Sequence, residues 1–211
     1  MKKKYILLVF FAVFTTSLYS QTVYFFTGKN YTTFDLQYQG ESANSSLKKG
    51  QGDSYEIGVS IPIPVSRLPF DNPLSYYVGL TLNQYNAEAG DETKSYSWKT
   101  EYLGVQNSIL YSFIKSDHLD LALKGGLNFS SLLYGNQKIN NANYDLKKYD
   151  EFTGIVFTPS LGIQAKCNLS EYGYLSLGYN YSKSSNLSND TSKKLAFKTH
   201  QILFGIHFEL Y

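Results

Sequence analysis

Several residue types are scarce in this 211-residue sequence, which contains one cysteine, one methionine, one tryptophan and five prolines. A single cysteine excludes a disulfide framework and any metal site built from several thiolates. Charged residues make up only 17% of the chain and the formal net charge is +2, which excludes a basic nucleic-acid-binding surface. So little charge beside 43% apolar residues also excludes a disordered chain, and the length fits one domain.

Long hydrophobic runs are absent too, apart from ten apolar residues near the start, at 5–14. Ten residues are too few for a transmembrane helix, which needs roughly 20. Three lysines precede the run and small polar residues follow it to Ser20, which is the order of a secretory signal peptide. We therefore predict a signal peptide at 1–20 and one mature domain at 21–211. The leader holds three of the 19 basic residues and none of the 17 acidic ones, so the mature chain has a net charge near −1.

Tyrosine, phenylalanine and glycine are abundant, with 20, 14 and 16 copies. Beyond residue 20, apolar side chains recur at every second position and not at helical spacing, which indicates β-strands with one apolar and one polar face. In the last such stretch the apolar positions are Ile202, Phe204, Ile206, Phe208 and Leu210. The pattern predicts eight strands, at 33–39, 55–61, 76–82, 103–113, 119–129, 155–165, 175–181 and 202–210.

Long and short connections alternate along these strands. The long ones, at 40–54, 86–97, 135–151 and 183–195, are rich in Ser, Asn, Gly, Lys and Glu. Short turns at 114–118 and 168–172 lie between them, and 62–73 is a longer exception. In an antiparallel meander this order places every long loop at one end, as in transmembrane barrels. Pro159 interrupts a predicted strand and predicts a bulge there, because proline cannot donate to the ladder.

The polar face indicates which way the strands point. A soluble barrel would turn its apolar face inward and carry charges outside. This polar face has small, weakly polar residues instead, such as Gly58, Ser60, Gly79, Thr81, Gly104, Gln106, Gly126, Asn128, Gly162, Ser176 and Asn180. They suit the narrow interior of eight strands, so the apolar face is expected to meet lipid. Tyrosines near the strand ends predict interfacial girdles, namely Tyr38, Tyr55, Tyr76, Tyr85, Tyr102, Tyr111, Tyr134, Tyr179 and Tyr181. We predict an all-β fold, an eight-stranded antiparallel up-and-down transmembrane β-barrel, closed because lipid leaves no partner for a free edge.

These features, with the glycine-rich phrases at 124–130 and 159–163, resemble the porin-family outer-membrane β-barrel domain proteins of Gram-negative bacteria. In size the chain is similar to the transmembrane domain of outer-membrane protein A. The resemblance implies an outer-membrane location with both termini periplasmic, contact with membrane lipid and lipopolysaccharide, and insertion by the barrel-assembly machinery. It also implies an assembly signal in the last strand, formed by Ile202, Phe204, Ile206, Phe208, Leu210 and Tyr211, although Tyr211 lies out of phase with the other five.

The candidate site residues are the few charged side chains predicted to point into the lumen. They are Asp35, Glu56, Asp120, Lys124, Lys166, His207 and Glu209. A lone charge in a tight lumen is costly, so these groups must pair or be hydrated. We expect Asp120 near Lys166, and Asp35 near His207 and Glu209. One interpretation is a plug of ion pairs and waters that closes the barrel, and the other is a narrow polar path for solutes.

A catalytic set is not evident. Barrel enzymes need a histidine beside a serine or a carboxylate. His118 lies in a turn, His207 faces the lumen acids, and His200 points away from its neighbour Thr199. We expect no catalysis, no metal and no cofactor, and a structural or surface-interaction role with a largely filled lumen. External loops, three of which contain lysine pairs, are the expected contact for anionic lipid groups or a protein partner. The alternatives are a low-conductance solute channel and, less favoured, a lipid-modifying enzyme.

Overall fold

A computed structural model describes residues 21–38, 41–42, 47–63, 74–90, 95–116, 118–139, 142–170, 173–187 and 193–210. The eight long strands are β1 (Gln21–Tyr38), β2 (Leu47–Ile63), β3 (Leu74–Gly90), β4 (Ser95–Lys115), β5 (Leu119–Ile139), β6 (Ile155–Ser170), β7 (Gly173–Lys183) and β8 (Lys193–Leu210). Three short strand segments lie in the connections between these strands, at Glu41–Ser42, Ala142–Asp145 and Ser185–Asn186, and a 3-10 turn lies at Leu146–Lys148. In this part of the chain no helix is long and apolar enough to cross a membrane. The predicted leader and Tyr211 lie outside the described residues.

The strands form a closed ring. Each pairs antiparallel with its neighbours in sequence, and β1 pairs with β8 along its whole length to complete the barrel. The predicted eight-stranded up-and-down barrel is therefore confirmed. Because the strand number is even, the described chain ends meet at one rim, where Gln21 pairs with Leu210.

Side-chain exposure shows which face is outside. Along the middle of the strands the outward positions are large and apolar, as with Leu80 (58% exposed), Leu161 (72%) and Leu177 (59%). The alternate positions, such as Thr81 and Ser176, are buried in the lumen. We call the outward apolar residues nearer the short turns the belt: Phe25, Ile57, Leu80, Leu103, Ile109, Leu123, Leu127, Leu161, Ile163, Leu177, Ile202, Phe204 and Phe208. A belt on a closed antiparallel ring is the surface that lipid requires of a barrel.

Most of the predicted long loops are strand. β2 begins at Leu47, β3 continues to Gly90, and β5 extends to Ile139, each well inside a segment predicted to be loop. The outward side chains of these stretches are polar. A pattern that requires an apolar outer face alternating with a polar inner face therefore does not identify them as strand. The barrel therefore extends beyond the belt as a sheet with a water-compatible exterior.

The bulge predicted at Pro159 is not present. The β5–β6 register runs without a shift from Leu119 opposite Cys167 to Ser131 opposite Ile155, with Pro159 opposite Leu127. The interruption lies on the other side, where Thr158 and Pro159 have no ladder partner in the described part of the neighbouring strand. β6 thus accommodates a residue without an N–H by leaving a gap in its pairing with β7.

Candidate functional site

The lumen is filled in three layers, of which the lowest, nearest the short turns, is aromatic. The ring of Tyr24 lies 4.9 Å from that of Phe26 and 5.0 Å from that of Tyr77. The glycines of the inner wall make room for these rings. A side chain at Gly79 would place its Cβ 2.6 Å from the Tyr24 hydroxyl, and one at Gly205 would lie 2.4 Å from the Phe26 ring. Large rings therefore occupy the lumen where the wall is smallest.

Four of the predicted lumen charges surround this aromatic layer. Glu56 accepts a hydrogen bond from the Tyr24 hydroxyl at 2.7 Å, and Asp120 lies opposite Lys166, with 3.9 Å between the carboxylate and the ammonium. Lys124, which is 4% exposed, places its ammonium 4.8 Å from the centre of the Phe26 ring. The charges are thus held by hydroxyl, ion-pair and cation–π contacts, Glu56 and Lys124 within the packed lumen and Asp120 and Lys166 at its open end.

The other predicted charges do not form the expected cluster. Asp35 points outward, where it forms an ion pair with Lys198 at 3.4 Å, because it is Phe34 that turns into the lumen. Its ladder partner in β8 is Ala196, whereas Glu209 is exposed at the opposite rim of the barrel. The predicted proximity of Asp35 to His207 and Glu209 is therefore wrong. The predicted phase fails here because it assumes a polar lumen along the whole strand.

His207 instead forms a pair with a serine. Its Nε2 lies 2.8 Å from the Ser176 hydroxyl, and its ring stacks on Tyr174 with 4.4 Å between centroids. Among the residues that the structure describes, Nδ1 has no hydrogen-bond partner and no carboxylate orients the ring, and the side chain is fully buried. Spacing could not predict this pair, since the two residues meet only through the β7–β8 register. The geometry lacks both the third member of a catalytic triad and access for a substrate.

The middle layer of the lumen is a network of amides and hydroxyls. Gln201 donates from Nε2 to the Asn30 Oδ1 at 2.9 Å and to the Ser54 Oγ at 2.8 Å, and Ser54 donates to the Asn83 Oδ1 at 2.7 Å. These bonds link β1, β2, β3 and β8 across the barrel. The cavity that remains beside them is about 30 Å³, enough for roughly one water molecule.

The upper layer is a cap of apolar side chains beyond the belt. Its members are Phe34, Tyr85, Ala87, Trp98, Tyr102, Leu146, Phe152, Val156, Leu195 and Phe197. Phe197 is central, with its ring 4.9 Å from both Phe34 and Tyr85. Burial raises the pKa of the Tyr85 hydroxyl above its ordinary range, so the phenol stays neutral. The prediction that Tyr85 and Tyr102 belong to a lipid-facing girdle is wrong, because both close the lumen from inside.

A vestibule opens into the lumen at the short-turn rim. It has a volume of about 740 Å³, and its lining includes Asp120, Lys166, Tyr174 and Glu209. The vestibule ends at the aromatic layer, and the polar layer and the cap lie above it. Within the described residues, no group of three or more His, Cys, Asp or Glu side chains is placed to hold a metal ion.

The solved structures that resemble this chain do so at low sequence identity. No protein family and no curated protein matches the chain. The outer membrane enzyme PagL is 13% identical, with a TM-score of 0.47 over 85% of this chain and 97% of that one. OprG from Pseudomonas aeruginosa is 9% identical, with a TM-score of 0.42 over 92% and 97%. Neisserial surface protein A is 12% identical, with a TM-score of 0.43 over 87% and 96%. The closed ring and its apolar belt make this chain a small barrel of the outer-membrane type.

Proposed function

We propose that this protein is a closed, non-catalytic outer-membrane barrel that presents a rigid surface above the membrane. The observation that supports this proposal is the filling of the lumen by three successive layers, with a cavity of about 30 Å³ in the middle one. Solutes need a continuous water-filled path. The apolar cap at one end of the lumen and the packed aromatic rings at the other interrupt it. The buried Ser176–His207 pair is without access to any substrate.

The location we propose follows from the belt and from the position of the rims. The leader at 1–20 would export the chain, the belt would lie in the hydrocarbon, and the rim where Gln21 meets Leu210 would face the periplasm. Five outward residues of β8 would serve as the assembly signal for the barrel-assembly machinery, namely Ile202, Phe204, Ile206, Phe208 and Leu210. The polar strand extensions would then stand on the outside of the cell.

The interaction surface would be the exterior of these extensions. Lys48 and Lys99 are exposed there, and Tyr134 and Tyr144 present half-exposed rings. Lysines at this height suit phosphates and acidic sugars of lipopolysaccharide, and exposed tyrosines suit a protein partner. Because the strands that bear them also hold the cap, this surface is rigid.

Recording in planar bilayers tests the closed lumen. We expect purified protein to give no steady channels, with Lys48→Gln as a control for surface charge. Steady channels whose conductance changes in Lys124→Gln would overturn the proposal in favour of a solute channel, since Lys124 lies inside the lumen. Release of acyl groups from lipid by the purified protein, lost in His207→Ala, would overturn its non-catalytic part.

A further inference from the structure

The belt contains a hollow on its outer surface. A groove of about 680 Å³ crosses the outside of the barrel from β3 to β7 at the height of Gly125. Apolar side chains dominate its walls, among them Ile109, Leu127 and Leu161. The groove lies in the part of the outer surface that the proposed location places in the hydrocarbon, and its apolar walls disfavour water.

Two backbone features make the hollow. The outward positions of β5 are leucines on either side of Gly125, and a Cβ added at Gly125 would find only the Leu161 side chain, at 3.8 Å. Alongside, the ladder gap at Pro159 separates β6 from β7, and Ser160 and Ser182, whose side chains face the lumen, also line the groove. A glycine inside a strand marks a place where a ligand or another chain approaches closely.

The upper end of the groove carries positive charge. Lys183 lines the groove there and is directly opposite Lys198 in the β7–β8 ladder. Lys198 has a partner in Asp35, but Lys183 has no ion pair among the described residues. Like charges directly opposite one another destabilise a sheet unless an anion neutralises them. An apolar trough that ends at a lysine therefore has the charge and shape to complement a chain that ends at a phosphate.

We propose that this groove binds one acyl chain of lipid A, the phosphorylated glycolipid of the leaflet on the long-loop side, with Lys183 on a lipid phosphate. The inference rests on the proposed outer-membrane location. Lys183 is the last residue of β7, at the end of the barrel where the long connections lie, and this position favours the outer leaflet as the source of the lipid. Tyr181, which also lines the groove, is 42% exposed two residues before Lys183, and tyrosines are enriched at the headgroup level of membrane proteins.

Native mass spectrometry of the detergent-purified protein tests the site by titration with lipid A and, in parallel, with phosphatidylglycerol. We expect one lipid A to be retained tightly. Lys183→Gln should weaken its binding about tenfold through loss of a charge-assisted contact. Gly125→Leu should weaken it similarly by filling the groove, and it should fold because the added side chain enters open space. Matched controls are Lys115→Gln, an exposed lysine at the opposite, short-turn rim, and Thr27→Leu, an outward position on the far side of the barrel.

Three outcomes would overturn the inference. Unchanged binding in both groove variants would place the lipid elsewhere. Phosphatidylglycerol that binds as tightly as lipid A, with the same dependence on Lys183, would make a phospholipid the occupant. A dimer that disappears in Gly125→Leu would make a second copy of this chain the occupant. The two proposals fail separately, because a barrel that conducts ions can still retain lipid A at its outer face.

Discussion

The belt half and the cap half of the barrel are built for opposite solvents, although the same strands run through both. On β8, Phe204 points outward and is 43% exposed in the belt, whereas Phe197, seven residues earlier, points inward and is 1% exposed in the cap. The outward positions beside Phe197 are the small Ala196 and the charged Lys198, and His200 is the next. The cap half therefore has the polarity of a water-soluble barrel, and the belt half has the inverse.

The change between the two patterns takes place at the polar layer. Strand alternation itself is uninterrupted in β1, where Phe26, Asn30 and Phe34 all face the lumen. What changes is the chemistry of the outward positions, which are apolar where the surroundings are hydrocarbon and polar where they are water. An aromatic layer ringed by charged groups and an apolar cap flank the amide network, and it is the outward face that tells the halves apart. The height of the membrane can thus be located from exposed side chains alone.

The largest effect that separates the two halves should come from phenylalanine truncation. Phe197→Ala removes a ring packed against Phe34, Tyr85 and Tyr102, and we expect it to lower the free energy of unfolding by about 3–5 kcal/mol. Phe204→Ala removes an outward ring that lipid or detergent replaces, so its cost should be small. Urea unfolding of both variants in detergent micelles measures the difference. Equal losses in the free energy of unfolding would mean that the outward ring of Phe204 is packed as tightly as the inward ring of Phe197.

A charge placed on the outer face should discriminate the halves in the opposite sense. Leu177→Arg puts a guanidinium in the belt, and for barrels folded in lipid vesicles we expect a loss of about 2–4 kcal/mol. Ser97→Arg, on the outward face of the cap half opposite Glu88, should leave the free energy of unfolding nearly unchanged. Unfolding must be measured in vesicles, because detergent adapts to a charge more readily than a bilayer. A tolerated arginine at Leu177 would contradict the membrane height assigned to the belt.

The belt half could be predicted in part from the sequence, because apolar residues face outward along it and small polar residues form much of its inner wall. The rings of Tyr24, Phe26 and Tyr77 in the lumen depart from that rule. Ser60, Thr81 and Ser176 are placed correctly by alternation alone, and closure follows from the absence of partners in lipid. The cap half could not be predicted in this way. There Phe34 and Phe197 are inside, and a rule that sends every phenylalanine to the lipid inverts the phase of the strand ends and misplaces Asp35.

The contacts that depend on strand register are the other part of the structure that the sequence could not predict. Alternation identifies Ser176 and His207 as lumen residues, but their hydrogen bond exists only because Gly205 pairs with Ser176 and His207 with Tyr174. The same holds for the Lys183 and Lys198 pair at the end of the groove. A one-residue slip would move every such side chain to the other face, so sequence patterns give the face and not the partner.

The smallest effects should distinguish a lumen ion pair from an outer one. Asp120→Asn leaves Lys166 in the lumen without its carboxylate, and we expect a loss of about 1–3 kcal/mol in the free energy of unfolding. Asp35→Asn removes the partner of Lys198, which is half exposed, so the loss should stay within about 1 kcal/mol. Raised salt should weaken the contribution of the outer pair and leave that of the inner pair almost unchanged. A loss at Asp35 as large as that at Asp120 would mean that Asp35 lies in the lumen after all, and that the cap half keeps the polarity of the belt half.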